Sequence, residues 1–566
     1  MSDGGVDPIT LEVLRNACVA VAEEMNATLV RTSYSPNIKD RRDCSCALFD
    51  VVGEGANAAA EMISQAENIP VHLGAMPYSV AAAIEAFPPE NLNDGDAILL
   101  NDPFHGGAHL PDMTLVTPVF VADELVAVAA NRAHHADVGG GRAGSVAADA
   151  TEIYQEGLRV PPVKLYDGGD PVEDVFDLLL TNVRTPDERR GDFRAQRAAN
   201  RTAVERVRDL AARHGRDTLS AATGEIKAYA ERRMRAEIEE LPDGTVEFED
   251  YLDDDGQGHE DLRVAVAVTV DGDELVVDFE GTSEQVAGAI NAPLAVTASA
   301  TYYSVRCVTD PDVPPNAGTY RPIEIRAPEG TVVNARPPAA VVGGNLEISQ
   351  RVTDALLGAF GTEAPERSVA AAQGTMNSVT FGGRDRAGDP FAFYETVGGG
   401  YGGRVGADGM DGVHAHMSNT LNTPAEVLET VYPLRVRRYA YRPDSGGDGE
   451  FRGGLGVRRD IEVLTDGVSF SLLADRRRHR PYGLAGGGPG APGEDYLDRD
   501  GGWTAIPGKS THELDAGDVV SVRTPGGGGY GDPSDRDAAA VARDLRLGKV
   551  SAERAREVYG LDPDDQ

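Results

Sequence analysis

The chain opens on alternating helical and strand periods. From Pro8 to Val30, PITLEVLRNACVAVAEEMNATLV keeps its apolar positions at helical spacing. CALFDVVG then reads as a strand, and HLGAMPYSVAAAIEAF (His72 to Phe87) as a second helix. AILL (Ala97 to Leu100) is a short apolar strand that runs straight into a polar stretch, NDPFHGGAHLPDM. TLVTPVFV and LVAVAANRAHH, joined by Ala122-Asp123-Glu124, predict a hairpin that ends in a second polar cluster, RAHHADVGG. From about Asp174 to Glu240 the pattern is helical. Beyond Leu241 it changes again: DLRVAVAVTVDGDELVVDFEGTS predicts a hairpin turning at Asp271-Gly272-Asp273. A helix follows (NAPLAVTASATYYSVRCV), then glycine-rich loops and another hairpin, GGRDRAGDPFAFYETVGGG. From about Tyr432 short strands and turns predominate, and DAAAVARDLRLGKVSAERAREVYG predicts a closing helix.

The order lacks the βαβ rhythm of a doubly wound fold, so the expectation is α+β and multi-domain. The expected parts are a mixed α/β domain over 1–173, a helical arm over 174–240 and a central α+β domain over 241–431. A β-rich sandwich or barrel over 432–534 and a C-terminal helix over 535–566 complete the chain. No run of eighteen apolar residues is present, and MSDGGVDPITLEV lacks the basic-then-apolar order of a secretory signal. Cys18, Cys44, Cys46 and Cys307 match no zinc spacing and no disulfide framework, which points to a reduced cytoplasm.

Charge narrows the function classes. The formal net charge is -39, spread along the chain rather than gathered in a tail. Only five basic residues are lysine: Lys39, Lys164, Lys227, Lys509 and Lys549. Distributed acid with arginine in place of lysine fits a salt-rich cytoplasm, where screening over a few ångströms suppresses self-repulsion. It argues against nucleic-acid binding. Between Arg184 and Arg235, 14 Lys and Arg face 8 Asp and Glu. That excess fits either an exposed helical hairpin laced with ion pairs or a docking arm for an acidic partner subunit.

The candidate chemistry lies in the two polar clusters. His109 and Asp112 flank Pro111, so their side chains can meet on one side of a tight turn. Asn101-Asp102-Pro103 can stiffen the same loop through an Asx turn, and Gly106 and Gly107 allow close approach to a ligand. The second cluster offers His134, His135 and Asp137. His134 and His135 face opposite sides of a strand, so one of them can join His109. Imidazoles with carboxylates suit a divalent ion such as Zn, Mn or Fe. The same residues also fit a hydrogen-bonded turn network, and spacing alone does not separate the two readings. Gly398-Gly399-Gly400 and Gly526 to Gly529 could present backbone N–H groups to a phosphate, or form tight turns. His414 and His416 share a face if they lie on a strand. GWTAIPGKS (Gly502 to Ser510) resembles a P-loop, but five residues separate its glycines where the motif needs four. ATP is therefore expected elsewhere.

A run of ordered motifs covers nearly the whole chain. DPITLEVLRN, SPNIKDRRDCSCALFD, IPVHLGAMP, NDPFHGGAHLPDMTLVTPVF and RAHHADVGG are followed by YETVGGGYGG, HMSNTLNTPAEVLE, RPYGLAGGGPG and PGGGGYGDP. Together they resemble the hydantoinase B/oxoprolinase family, the β-type subunit of ATP-dependent hydantoinases and 5-oxoprolinases, with acetone and acetophenone carboxylase subunits as relatives. Ala108 stands where that family usually has Thr. The resemblance implies a larger ATP-binding hydantoinase A-type partner in a hetero-oligomer. The partner would phosphorylate the amide oxygen of a hydantoin, N-methylhydantoin or 5-oxoproline, whose ring this chain then opens. It implies a divalent metal held by Asp43, His109, Asp112 and His134, with Asp40 and Asp50 close to the first. His135 and Asp137 are the expected catalytic or orienting partners. His105, Asn101, Asp102 and Gly398 to Gly400 are expected to line the substrate pocket. A carboxylase subunit, or a non-catalytic scaffold for the ATP-binding subunit, are the alternatives.

Overall fold

A computed structural model describes residues 6–53, 58–66 and 68–561 of the 566-residue chain. The first helix spans Pro8–Thr32. Asp7 caps it by accepting from the Ile9 and Thr10 N–H groups, and Pro8 occupies the first turn, where its missing donor costs nothing.

Seven antiparallel strands carry the N-terminal half: β1 (Cys44–Val52), β2 (Ala59–Ala66), β3 (Ala97–Leu100), β4 (Asp112–Val121), β5 (Glu124–His134), β6 (Val163–Asp167) and β7 (Asp170–Pro171). Their order is β2-β1-β5-β4-β3-β6-β7. Ala122 and Asp123, both in the left-handed region, close the β4–β5 hairpin and match the right-handed twist of its strands. Both faces of the sheet are covered. Cys18, Met25, Cys46, Leu48, Ala199 and Val207 pack one face against the helices Pro8–Thr32 and Pro186–His214. Phe49, Met76, Val80, Ile98 and Val116 pack the other. Each large apolar side chain so buried contributes roughly 1.5–3 kcal/mol.

The arginine-rich segment lies on this sheet. Gln196 and Asn200, buried on the helix Pro186–His214, donate to the Met113 and Leu115 carbonyls, and their amides interlock with Asn131. Several of its charges are paired within the chain: Arg206 on Glu24, Arg208 on Asp94, Arg216 on Glu124, and the buried Lys227 on Asp50 and Glu61. To that extent the local positive excess is answered by acids of other elements rather than left free for a docking partner.

Two expected helices are each broken. His72 to Phe87 divides into Pro70–Leu73 and Met76–Ala86. At Gly74, between them, a Cβ would lie 2.6 Å from the Ser299 Cα. The C-terminal segment forms Ala538–Arg546 and Ala552–Glu557, with Gly548 at positive φ between them. The central sheet pairs Gly244–Asp254, Glu260–Asp271, Glu274–Asp278 and Ile323–Arg326 and packs on the helices Leu294–Val308 and Ser349–Glu363. Past it, one sheet joins Ser378–Arg384 and Pro390–Thr396 to Val468–Leu473 and Lys509–Leu514, so hydrogen bonds cross the boundary expected at 431/432. The P-loop lookalike is two strands, Gly502–Ile506 and Lys509–Leu514, in different sheets, and the Lys509 ammonium is buried 2.9 Å from Asp475.

The glycine runs form a bundle of extended segments. Gly400 N–H donates to Pro525 O, Gly403 to Gly528 O, Gly454 to Tyr401 O, Gly447 to Gly527 O, and Gly529 to Gly488 O. Successive residues of one segment reach different neighbours: Gly526 donates to Ala491 O, Gly527 to Gly454 O and Gly528 to Ala371 O. A Cβ on Gly400 would lie 2.1 Å from the Gly454 carbonyl oxygen. The glycines are there because backbones touch.

Candidate metal centre

Three adjacent strand ends build the site. In the order β1-β5-β4, Asp43 precedes the first, His134 ends the second and Asp112 begins the third. Asp112 and His134 are direct cross-strand partners, and the His134 N–H donates to the Asp43 carbonyl. His109 enters from the Pro111 turn, where the Asp112 N–H donates to the His109 carbonyl. Among the described residues, His109, Asp112 and His134 form the one group of ligating side chains whose donor atoms lie within 4.8 Å of one another.

Asp112 Oδ1 is 3.1 Å from His109 Nε2 and 3.3 Å from His134 Nδ1, and the two nitrogens are 3.2 Å apart. Asp112 Oδ2 faces His72 Nε2 at 3.2 Å, and His72 Nδ1 contacts Ser45 Oγ at 3.1 Å. His109 Nδ1 lies 3.3 Å from the Val342 carbonyl. A proton on Nδ1, which that contact calls for, leaves the Nε2 lone pair aimed at the cluster. Asp112 Oδ1 is fully buried and accepts no hydrogen bond. Such an oxygen is costly unless something positive sits beside it. The cavity lined by Asp43, His72, His109, His134 and Asn345 has about 20 Å³, room for one water or ion.

The electrostatics suit a cation. Burial pushes the Asp112 carboxyl up, but the His109 and His72 imidazoles beside it outweigh that and hold it well below the usual carboxylate range. Burial pushes His134 down, against its contact with Asp112. A charged carboxylate is the state that ligates. The donor set is two nitrogens and one oxygen, with Asp43 lining the same cavity, and it fits a divalent transition ion.

The remaining expected residues fall elsewhere. His135 does not join the cluster: its Nε2 contacts Gln196 Oε1 at 3.0 Å, and its ring tilts against Phe193. Burial, then the Arg189 charge, pushes it down to about 4. Asp137 accepts from the Gly139, Gly144 and Arg184 N–H groups and from the Arg184 guanidinium, which leaves it no capacity for a ligand. Asn101 is equally spent, donating to the Leu110 and Leu158 carbonyls and accepting from the Val160 N–H. Asp102 caps a short turn and meets His105 Nδ1 at 2.8 Å, and the His105 side chain is 65% exposed. Neither lines the cavity. The Gly399 and Gly400 N–H groups donate to Val413 O and Pro525 O, so they offer a phosphate nothing. His414 and His416 lie in a loop, not a strand. His414 Nδ1 is 2.8 Å from the hydroxyl of Ser418, a cavity residue, and His416 packs on Tyr303 and Tyr401.

Three contributors escape the sequence reading. His72 sits inside an apolar pattern that reads simply as helix. Tyr394 stacks on His134 with ring centroids 4.5 Å apart, and Asn345 approaches from 233 residues beyond Asp112. No spacing signal links them to the histidine clusters.

This constellation defines an α+β protein with a candidate metal site, and comparison with known sequences gives it a family. The hydantoinase B/oxoprolinase family profile matches residues 7–533, and the chain belongs to that family. It is 38% identical to 5-oxoprolinase 1 of Arabidopsis thaliana over 94% of its own length, spanning 42% of that longer protein. It is 36% identical to a Pseudomonas protein named for the D-/L-hydantoinase B subunit, covering 98% of this chain and 95% of that one. The ATP-dependent caprolactamase crystal structure from Pseudomonas jessenii superposes with a TM-score of 0.92 at 34% identity, over 99% of this chain and 98% of the other.

Proposed function

We propose that this chain opens the ring of a cyclic amide that a separate ATP-binding hydantoinase A-type subunit has phosphorylated. The observation that carries the reading is the buried Asp112 Oδ1, held between the His109 and His134 imidazoles, which themselves line a cavity with room for one ion. Relatives named for 5-oxoproline, hydantoin and caprolactam chemistry support a cyclic amide. The near-equal length of the hydantoinase B relative supports a separate partner, since the longer 5-oxoprolinase has room for both roles. Among the described residues no helix is long and apolar enough to cross a membrane.

The chemistry needs activation because an amide is a weak electrophile with a poor leaving group. O-phosphorylation makes the carbon imidate-like. Water adds to that carbon, the ring C–N bond breaks as nitrogen takes a proton, and an acyl phosphate remains. A second water converts it to carboxylate and phosphate. A divalent ion, when bound, supplies Lewis acidity and lowers the pKa of its water from 15.7 toward ~7. His109, Asp112 and His134 would hold it, with Asp43 as the fourth side chain. The apolar walls, including Ile69, Val71, Leu346 and Met417, limit bulk water at the reacting carbon.

The test co-expresses the chain with its ATP-binding partner and assays at high salt, where the -39 charge is screened. Phosphate release is measured with 5-oxoproline, hydantoin, N-methylhydantoin, caprolactam and acetone. Release with a cyclic amide and ring-opened product supports the reading. Release with acetone plus bicarbonate alone favours the carboxylase alternative, and a folded complex inert to all five removes both.

A further inference from the structure

Asn345 lies in a five-residue π turn, Gly344–Ile348, that opens the buried helix Ser349–Glu363. Such turns are rare and recur at functional sites. The two preceding glycines press this one onto the Ala289–Ala292 segment. A Cβ on Gly343 would lie 2.5 Å from the Ala289 carbonyl oxygen, and one on Gly344 would lie 2.1 Å from that of Asn291. The backbone is thereby fixed where it delivers the Asn345 side chain into the metal cavity. The residue is 4% exposed. Its Nδ2 is 3.3 Å from His109 Nε2 and 3.5 Å from Asp112 Oδ2, and its Oδ1 is buried without a partner.

His109 Nε2 is the acceptor a cation would claim. It offers a single lone pair, so a nitrogen that ligates an ion cannot also accept from Asn345. With the site loaded, the amide N–H that meets Nε2 loses that acceptor and is left to meet one brought up to the ion from outside, the cavity itself having room for the ion alone. We propose that this acceptor is the oxygen on the reacting substrate carbon, and that Asn345 is a catalytic hydrogen-bond donor rather than an ion ligand. The proposal rests on the ring-opening reading above. A preorganised donor at such an oxygen stabilises charge as it develops, in a site where water does not compete. The competing role is an amide turned by 180° to place Oδ1 on the ion, since amide orientation is assigned from hydrogen bonding.

The two roles separate in Asn345→Asp and Asn345→Ala, each made in the full complex with the partner subunit. Divalent ion per chain, ion affinity by calorimetry, kcat and KM are measured, with thermal unfolding as the folding check. A donor role gives near wild-type ion content in both variants, and kcat lower by on the order of 10²–10³-fold in both, with KM little changed. A ligand role gives ion loss in Asn345→Ala with retention in Asn345→Asp, and would overturn the proposal. So would wild-type kcat in either variant. An ion-free wild-type chain would instead sink the metal reading itself, whatever the variants do.

Discussion

His134 and His135 are neighbours in sequence and occupy opposite faces of one strand end. On the His134 face, Asp112 Oδ1 lies between His109 Nε2 and His134 Nδ1, and Asn345 Nδ2 reaches the same His109 nitrogen while its Oδ1 stays buried and unpartnered. On the His135 face, Gln196 fixes the ring and four donors saturate Asp137. His135 does keep Nδ1 unpartnered, so an orphan atom alone does not mark a site. Nor do several, since Arg189 Nε and Nη1 and Asp192 Oδ2 beside His135 also lack a hydrogen-bond partner; the first face is marked by three ligating groups whose donor atoms lie within 4.8 Å of one another. The first face is arranged for something to enter, the second to hold the Pro186–His214 helix and the loop after β5.

Substitutions on the two faces should therefore fail in different ways. The largest effect is expected from Asp112→Ala, which removes the central carboxylate: activity of the complex falls to background and the bound ion is lost, while the chain still assembles with its partner. Ion analysis and gel filtration check this together. Retained ion with full activity would erase the distinction between the faces.

Next is Asp137→Ala, on the other face. It leaves the Gly139, Gly144 and Arg184 backbone N–H groups unmet, at ~1–3 kcal/mol for each that is buried, while the Arg184 guanidinium keeps the Gly139 and Gly140 carbonyls. Unfolding free energy should fall by at least about 3 kcal/mol by denaturant titration, with ion content per folded chain unchanged. Loss of ion with normal stability would instead place Asp137 in the site. A smaller change is expected from His72→Ala, since His72 contacts Asp112 Oδ2 from outside the triad. Ion affinity should drop ~10–100-fold, the usual effect of removing an orienting partner.

The weakest effect is a pH dependence. Glu156 accepts from the Val342 N–H, on the residue whose carbonyl holds His109, and burial raises its carboxyl to about 8 despite the Val342 and Val341 backbone donors. Raised from an ordinary 4.5, it stabilises the fold fully below that value. The contribution is lost as pH climbs through about 8. Glu156→Gln should flatten the fall in melting temperature between pH 5 and pH 9. An unchanged profile would remove Glu156 as its source.

Much of the β1–β5–β4 arrangement is legible in the sequence, because local patterns carry it. Alternation and a two-residue turn specify the β4–β5 hairpin. Pro111 between His109 and Asp112, and the strand end at His134, then bring three ligands to one end of the sheet. What the sequence hides is non-local or made of backbone. Asn345 and Tyr394 reach the site from the central region, and no period in the chain ties them to His109. His72 is masked by the apolar residues around it. The glycine runs mislead for another reason: phosphate loops and bundles of touching backbones need the same residue, and only the fate of each N–H separates them. Similarly, the arginine excess over 184–235 gives no hint that its partners are acids elsewhere in the chain.

The most direct test of the central claim is the amount of divalent ion in the purified wild-type chain and in His109→Ala. The account predicts about one equivalent of a transition ion in the wild type and none in the variant, with both folded. Equal ion content in the two, or none in either, would contradict a metal centre at His109, Asp112 and His134.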